Sequence, residues 1–460
     1  MSKDCNPSLF RLRSDRLVQL QLKAGAFLFG NSLASSFVRG ASWSLAGAIL
    51  ARGLTFVATI VAARTLGNTT YGELGMIQST LLLCGAFAGN GVGVSLTRQV
   101  AELRNRDLVR VSKNIAAGLL LATVLGGALG LALLPLSHWI GALVLGAPHL
   151  VQGLRYGAIL LVLTVIGGAQ LGALYGLQEF RAVAMIQVLR AACVAAGLVA
   201  GSLYGLIETV IGLVVGELVS VMFNAVVLHR LMDRSYVSIA YWKVDWREFR
   251  HLWSFALPVL LSGIVIQPAF WIGNATLVNQ PMGYSKLGIF MAAERWRELI
   301  LFVPASLSQT VLSLLTNLHG TSDKKSYKTL FRLNMLAHLG LVILPALGLT
   351  LVSQYAMSLF GAEFQQGWLT LSILATSAIP LVLNNVLGQV LQSGGSIWRR
   401  FFLDLLLAGI YALLVVSLIP LWQENGMALA ILLATSIVNV PLFMIVRRMI
   451  GNRVLAQKDM

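Results

Sequence analysis

Twelve stretches of mostly apolar residues, each about the length of a membrane-crossing helix, occupy nearly the whole chain, and they restrict its fold more than any short motif does. They fall at 42–63, 71–95, 114–137, 155–176, 181–204, 207–229, 252–277, 286–315, 327–352, 367–390, 398–421 and 425–447. A hydrocarbon layer about 30 Å thick needs roughly 20 such residues per helix. Only 11% of the residues are charged and 57% are hydrophobic, whereas soluble domains carry about 25% charged residues. The expectation is an all-α membrane protein with no room for a separate globular domain.

The basic residues set the topology. Of the 34 lysines and arginines, 26 fall in the two ends and alternate connections, and three (Arg64, Arg155 and Lys286) fall in the connections opposite. The positive-inside rule then places both termini in the cytoplasm. The net charge of +16 is explained by this topology and by attraction to anionic lipid, so no nucleic-acid partner is expected. The N-terminal segment lacks an apolar signal region close behind its charges. Cys5, Cys84 and Cys193 have no metal-ligand spacing. No phosphate-binding loop and no nucleophile with a nearby base occur, so neither a cofactor, a metal nor an enzymatic activity is expected.

The chain divides into an interfacial N-terminal segment (1–41), six helices (42–229), a linker (230–251), six more helices (252–447) and a tail (448–460). The linker interleaves Tyr236, Trp242 and Trp246 with Lys243, Arg247 and Arg250, and reads equally as a helix on the inner leaflet or a solvated loop. Trp43-Ser44 aligns with Trp253-Ser254, and Tyr71-Gly72-Glu73-Leu74-Gly75 with Tyr284-Ser285-Lys286-Leu287-Gly288. Two halves that both start inside are related by an axis normal to the membrane, and the sites of repeat-built transporters lie near the midplane between the halves.

Charges in mid-membrane cost at least about 2.5 kcal/mol each, so each needs a reason. Arg52 stands ten residues into the first helix, about 15 Å deep at 1.5 Å per residue. Arg190 is in the fifth helix, Glu217 in the sixth, and Glu294, Arg295, Arg297 and Glu298 in the eighth. In the eighth, the three-residue spacings let 294 pair with 297 and 295 with 298. Arg52 and Arg190 lack an acidic neighbour at that spacing, so their partners come from another helix or from a ligand. Arg332 and Asp404 are near enough to the cytoplasmic side to snorkel, and His338 reads as a satisfied bundle histidine.

The planar, five-donor guanidinium suits phosphate and carboxylate. Arg52, Arg190, Arg295 and Arg297 therefore point to an anionic substrate in a wet cavity. Glu217, Glu294 and Glu298 are candidates for coupling to protons or sodium ions. Pro258 and Pro268 mark the seventh helix as a lining or gating element, with Gln267, Trp271 and Asn274 beside them. These three, with Gln78, Asn90, Asn384 and Asn385, could contact sugar hydroxyls. Ordinary interhelical bonding accounts for such amides equally well.

AARTLGNTTYGELGMIQS (Ala62 to Ser79) and GNGVGVSLTRQVAELR (Gly89 to Arg104) resemble the bacterial polysaccharide-lipid flippases of the multidrug/oligosaccharidyl-lipid/polysaccharide exporter superfamily. The pattern is carried by Arg64, Leu66, Gly67, Tyr71, Gly72, Ser79, Gly91 and Arg98, and GALYGLQEFR (Gly172 to Arg181) resembles the family's junction between helices four and five. The match is specific over 40–190 and diffuse beyond. The resemblance implies two six-helix lobes in a V around a cationic cavity. It also implies an undecaprenyl-pyrophosphate-linked oligosaccharide as substrate, flipped outward by an ion gradient, and a polysaccharide polymerase and chain-length machinery as partners. Related lipid-carrier flippases place cavity arginines in the first and eighth helices, which here hold Arg52 and Arg295. The second half departs from the first: Lys286 stands where Glu73 does.

Two rivals remain. A multidrug exporter of the same superfamily would want acidic residues where the first helix has Arg52. A polysaccharide polymerase or ligase would need outer loops longer than the roughly 17 residues available here at most.

Overall fold

The computed structural model describes residues 32–87, 89–104, 106–234, 265–320, 324–393 and 397–455. Helices dominate: α1 (Ser32–Ala86), α2 (Gly89–Leu103), α3 (Leu108–His138), α4 (Leu150–Leu177), α5 (Phe180–Ser202) and α6 (Leu206–Arg234) come first. They are followed by α7 (Val265–Val278), then α8 (Gly283–Gly320), α9 (Lys324–Leu351), α10 (Ser353–Ser358), α11 (Trp368–Ser393) and α12 (Ile397–Leu455). Residues 235–251 of the linker, the start of the seventh helix with Pro258, and residues 1–31 lie outside the described residues.

The two longest helices are bent pairs. In α1 the backbone leaves the helix at Gly67 (φ 74°), a left-handed conformation that costs glycine least, within the turn expected between the first two spans. In α12 the break is at Gln423 (φ 46°), between the eleventh and twelfth. Among the described residues, both halves of α1 and α12 with α3 to α9 and α11 make twelve elements at the positions of the twelve expected spans, and eight of the continuous helices are long and apolar enough to cross a membrane. The second span is shorter than expected, because the chain turns at Phe87 before α2 begins.

The first six crossings pack among themselves, with α5 against α1 and α6, and α4 against α2, α3 and α6; in the second half α11 packs against α8, α9 and α12. Small residues let these backbones approach, as where Gly197 of α5 faces Gly212 of α6. Large apolar side chains such as Leu344 and Leu413 stand 73% and 69% exposed on the outside, as a lipid-facing surface requires.

The lobes meet mainly along α1 and α8. At one end Gly72 lies on the carbonyl of Tyr284 and Gly288 on the carbonyl of Asn68, so close that a Cβ at either position would collide with backbone. The contact is reciprocal, as a two-fold axis would make it, and it equates Gly72 with Gly288. The sequence repeat, which sets Gly75 against Gly288, is thus three residues out of register with the packing. Polar bonds surround the crossing. Arg64 Nε donates to the Leu359 carbonyl at 2.6 Å, the Asn68 amide to Glu363 at 3.2 Å, and Asn279 Nδ2 to the Val144 carbonyl at 3.2 Å. Glu73 and Lys286 do not meet each other. Glu73 pairs with His149 at 2.8 Å and Lys286 with Glu424 at 3.0 Å.

Candidate functional site: an arginine and carboxylate cluster between the lobes

Glu298 of α8 is gripped from both lobes. Arg52 Nη2 of α1 reaches its Oε2 at 3.0 Å, and Arg295 Nη1, one turn back on α8, reaches the same oxygen at 3.3 Å. Arg295 Nη2 then donates to Gln78 Oε1 on the second half of α1 at 3.2 Å. Phe56 and Trp296 stack edge-to-face beside the cluster, ring centres 4.8 Å apart. Ten residues separate Gly288 from Glu298, about 15 Å of helix, so the cluster sits well inside the molecule from the glycine crossing.

These groups are paired but not sealed. The side chains of Arg52, Arg295 and Glu298 keep 39%, 31% and 33% of their exposure. Two guanidinium groups share one carboxylate, so the cluster carries a net positive charge. The buried Tyr71 of α1 lies against Arg295 from the first lobe. An anion with more oxygens and more charge than one carboxylate would balance the two guanidinium groups more fully.

The other eighth-helix pair points elsewhere. At 3.6 residues per turn, Arg297 lies roughly 160° around α8 from Arg295, whereas Glu294, one turn before Glu298, is only about 40° from it and stands between Arg297 and Glu298. Arg297, 5% exposed, pairs with Glu294 and donates to Ser377 Oγ of α11 at 3.2 Å. It is buried inside the second lobe and is not on the wall of the interlobe site. Glu294 Oε2 and the Tyr411 hydroxyl are buried there without partners. In the first lobe, Arg190 Nε donates to both oxygens of Glu217, at 3.1 and 3.0 Å. Glu217 is 2% exposed while the Arg190 side chain is 45% exposed. Both partners missing from the local sequence thus come from another helix.

Of the amides, Gln78 joins the cluster, and Trp271 Nε1 crosses between lobes to Thr80 Oγ1 at 3.0 Å. Asn274 is buried and Gln267 half-buried on α7. Asn384 is turned into the second lobe, where its Nδ2 donates to Asn439 Oδ1 at 3.0 Å. This interhelical bond leaves no reach to a chamber. Asn385, one residue on, is exposed, and the side chain of Asn90 lies outside the described residues. His338 is buried between the carbonyls of Asn334 and Pro304. Asp404 pairs with Arg400 at 2.9 Å rather than reaching for the membrane surface. Sequence reasoning missed Glu424 and His149, whose partners Lys286 and Glu73 are on distant helices, and Tyr411, which packs against Phe270; none of the three stands in a local motif.

A family profile described as "Polysaccharide biosynthesis protein" matches residues 37–313. The chain belongs to this family. The matched span runs from α1 into α8 and contains Arg52, Gln78, Arg295 and Glu298 of this chain. The chain is similar to the EPS I polysaccharide export inner membrane protein EpsE of Ralstonia nicotianae (strain ATCC BAA-1114 / GMI1000), with 25% identity covering 83% of this chain and 86% of that one. The corresponding protein of Ralstonia solanacearum is 24% identical over the same shares. Among solved structures, an inward-facing multidrug resistance MATE family transporter of the MOP superfamily superposes with a TM-score of 0.76 at 15% identity, covering 87% of this chain and 95% of that one. A MOP superfamily transporter from Pyrococcus furiosus, described as having a binding pocket of reverse polarity, superposes with a TM-score of 0.68 at 16% identity, covering 90% of this chain and 95% of that one. The fold of this family member is therefore the two-lobed, V-shaped transporter fold.

Proposed function

We propose that the protein exports a lipid-linked polysaccharide repeat unit across the bacterial inner membrane, and that Arg52 and Arg295 hold its pyrophosphate between the lobes. The observation that carries this reading is the convergence of two guanidinium groups, one from each lobe, on the single carboxylate of Glu298. A carboxylate offers two oxygens, whereas a pyrophosphate offers more acceptors and a larger charge. The lipid-linked anion would displace Glu298 from the partly exposed guanidinium groups of Arg52 and Arg295 and keep both lobes attached to one ligand while they rock. Family membership and the relatives' export role support a polysaccharide cargo. The undecaprenyl carrier is the most economical membrane-borne pyrophosphate for that cargo.

Coupling to protons or sodium ions is assigned to the intralobe carboxylates. Glu294, with one buried oxygen unpartnered, and Glu217, shielded behind Arg190, each change the charge balance of one lobe's interior when neutralised. A substrate-driven change at Glu298 lies one turn of α8 from Glu294. Both termini are cytoplasmic in this reading, so the glycine crossing closes the outer face and the cluster is loaded from inside. The polymerase and chain-length machinery would receive the unit outside.

The test is binding of a polyprenyl-pyrophosphate oligosaccharide to purified protein. Glu298→Gln removes the internal competitor and should tighten binding several-fold, while Arg295→Ala should weaken it by at least tenfold. Unchanged binding in both variants would remove the cluster from the substrate site. The cation-exporter alternative predicts the opposite sign for Glu298→Gln.

A further inference from the structure

A second site lies on the outside of the first lobe. Trp43, Gly47 and Leu50 of α1, Met185 and Leu189 of α5, and Phe223 of α6 line an apolar groove of about 630 Å³ with Arg181 at one end. Gly47 lies against Ala184 and brings α1 and α5 together along its floor. On α1, the stripe 43, 47 and 50 points roughly 160° away from Arg52 and Phe56 at 3.6 residues per turn. The groove therefore faces away from the lobe interface and from the cluster there.

Its ends differ in chemistry. Arg181 lies over the Trp43 ring, 5.8 Å from the centroid, and both side chains are exposed. Arginine and tryptophan together mark a membrane–water boundary. Arg181 is the second residue of α5, and Glu179 in the N-cap position makes no capping bond, so the positive end of that helix adds to the guanidinium. Glu179 itself is two residues back and does not share a face with Arg181. Arg104 also stands nearby, donating to the Leu177 carbonyl at the end of α4 at 3.2 Å. From Arg181 to Ala192, which also lines the groove, the helix rises about 16 Å, close to half the hydrocarbon thickness.

We propose that this groove binds one anionic glycerophospholipid, its phosphate on Arg181 and an acyl chain along α5 towards Ala192. A cation at a boundary followed by one leaflet's depth of apolar wall matches that molecule, and charge selects an anionic head over a zwitterionic one. By the positive-inside reading the lipid belongs to the cytoplasmic leaflet. The site is independent of the substrate assignment.

The test is native mass spectrometry of the full chain with equimolar phosphatidylglycerol and phosphatidylethanolamine. The first bound lipid should be phosphatidylglycerol by about fivefold, the preference one basic residue confers at a membrane surface. Arg181→Ala should bring the two lipids to parity and Arg181→Lys should retain most of the preference. Ala192→Trp, which fills the groove and leaves the charge, should lower retention of both. Equal retention by the natural chain, or a preference that survives Arg181→Ala, would overturn the proposal. So would displacement of phosphatidylglycerol by an equimolar polyprenyl phosphate, which would make the groove a carrier-lipid site.

Discussion

A guanidinium set deep in an apolar helix must be answered by an anion, and Arg52 is answered by Glu298 from the other lobe. Removing Arg52 leaves Glu298 with Arg295 alone and takes one lobe's hold from any phosphate. Charge-assisted bonds of this kind contribute about 1.5–3 kcal/mol, so Arg52→Ala is expected to cut export by one to two orders of magnitude. Arg52→Lys should keep part of it, since an ammonium supplies charge but no planar fork. Surface polysaccharide in a complemented deletion strain reads both. Arg52 was legible in the sequence because it lacked a local partner. Its answering residue was not, since 246 positions separate the two and only the folded lobes bring them together. Arg190 and Glu217 are 27 residues apart on successive helices, close enough in sequence for antiparallel neighbours to have suggested the pair.

At the scale of elements, α8 turns its two arginines to opposite sides. Arg295 serves the lobe interface with Glu298, while Arg297 is buried in the second lobe, and Glu294 pairs with Arg297 from a position one turn before Glu298. The i, i+3 spacing exposed both pairings in advance, but the direction of each face depended on which neighbours α8 packs against. The same limit explains Asn384 and Asn385, adjacent residues that point one inward to Asn439 and one outward. The start of α8 is joined to the break in α12 by Lys286 and Glu424, the latter 5% exposed. Lys286→Met would strand a buried carboxylate and should lower stability by about 3 kcal/mol, whereas Lys286→Met with Glu424→Gln should recover most of it. Thermal unfolding of the purified variants measures the difference.

The glycine crossing has its own consequence. A side chain at Gly72 would strike the Tyr284 carbonyl, so Gly72→Leu must part the lobes at that end. In a background with Cys5, Cys84 and Cys193 replaced, Gln78→Cys should resist a membrane-impermeant thiol reagent applied from outside and become reactive once Gly72→Leu is added. Labelling that is equal with and without the added leucine would mean the crossing does not close that face.

For the whole molecule, span number and the breaks near Gly67 and Gln423 were readable from apolar run length, because lipid permits few alternatives to a helix of fixed minimum length. The two-lobe organisation followed from the repeat. Its register did not, since helices crossing at small residues are positioned by backbone contact, and the Tyr-x-x-x-Gly similarity aligns letters rather than surfaces. What unites the scales is one claim: two lobes share a single anion through Arg52 and Arg295, and Glu298 occupies that position when the substrate is absent. The most direct measurement is equilibrium binding of a polyprenyl-pyrophosphate oligosaccharide to the natural protein, Arg52→Ala, Arg295→Ala and the double variant in lipid nanodiscs. The claim predicts at least tenfold weaker binding for each single variant and a double variant little worse than either, because both arginines act on one headgroup. Binding at natural strength in both single variants would contradict it.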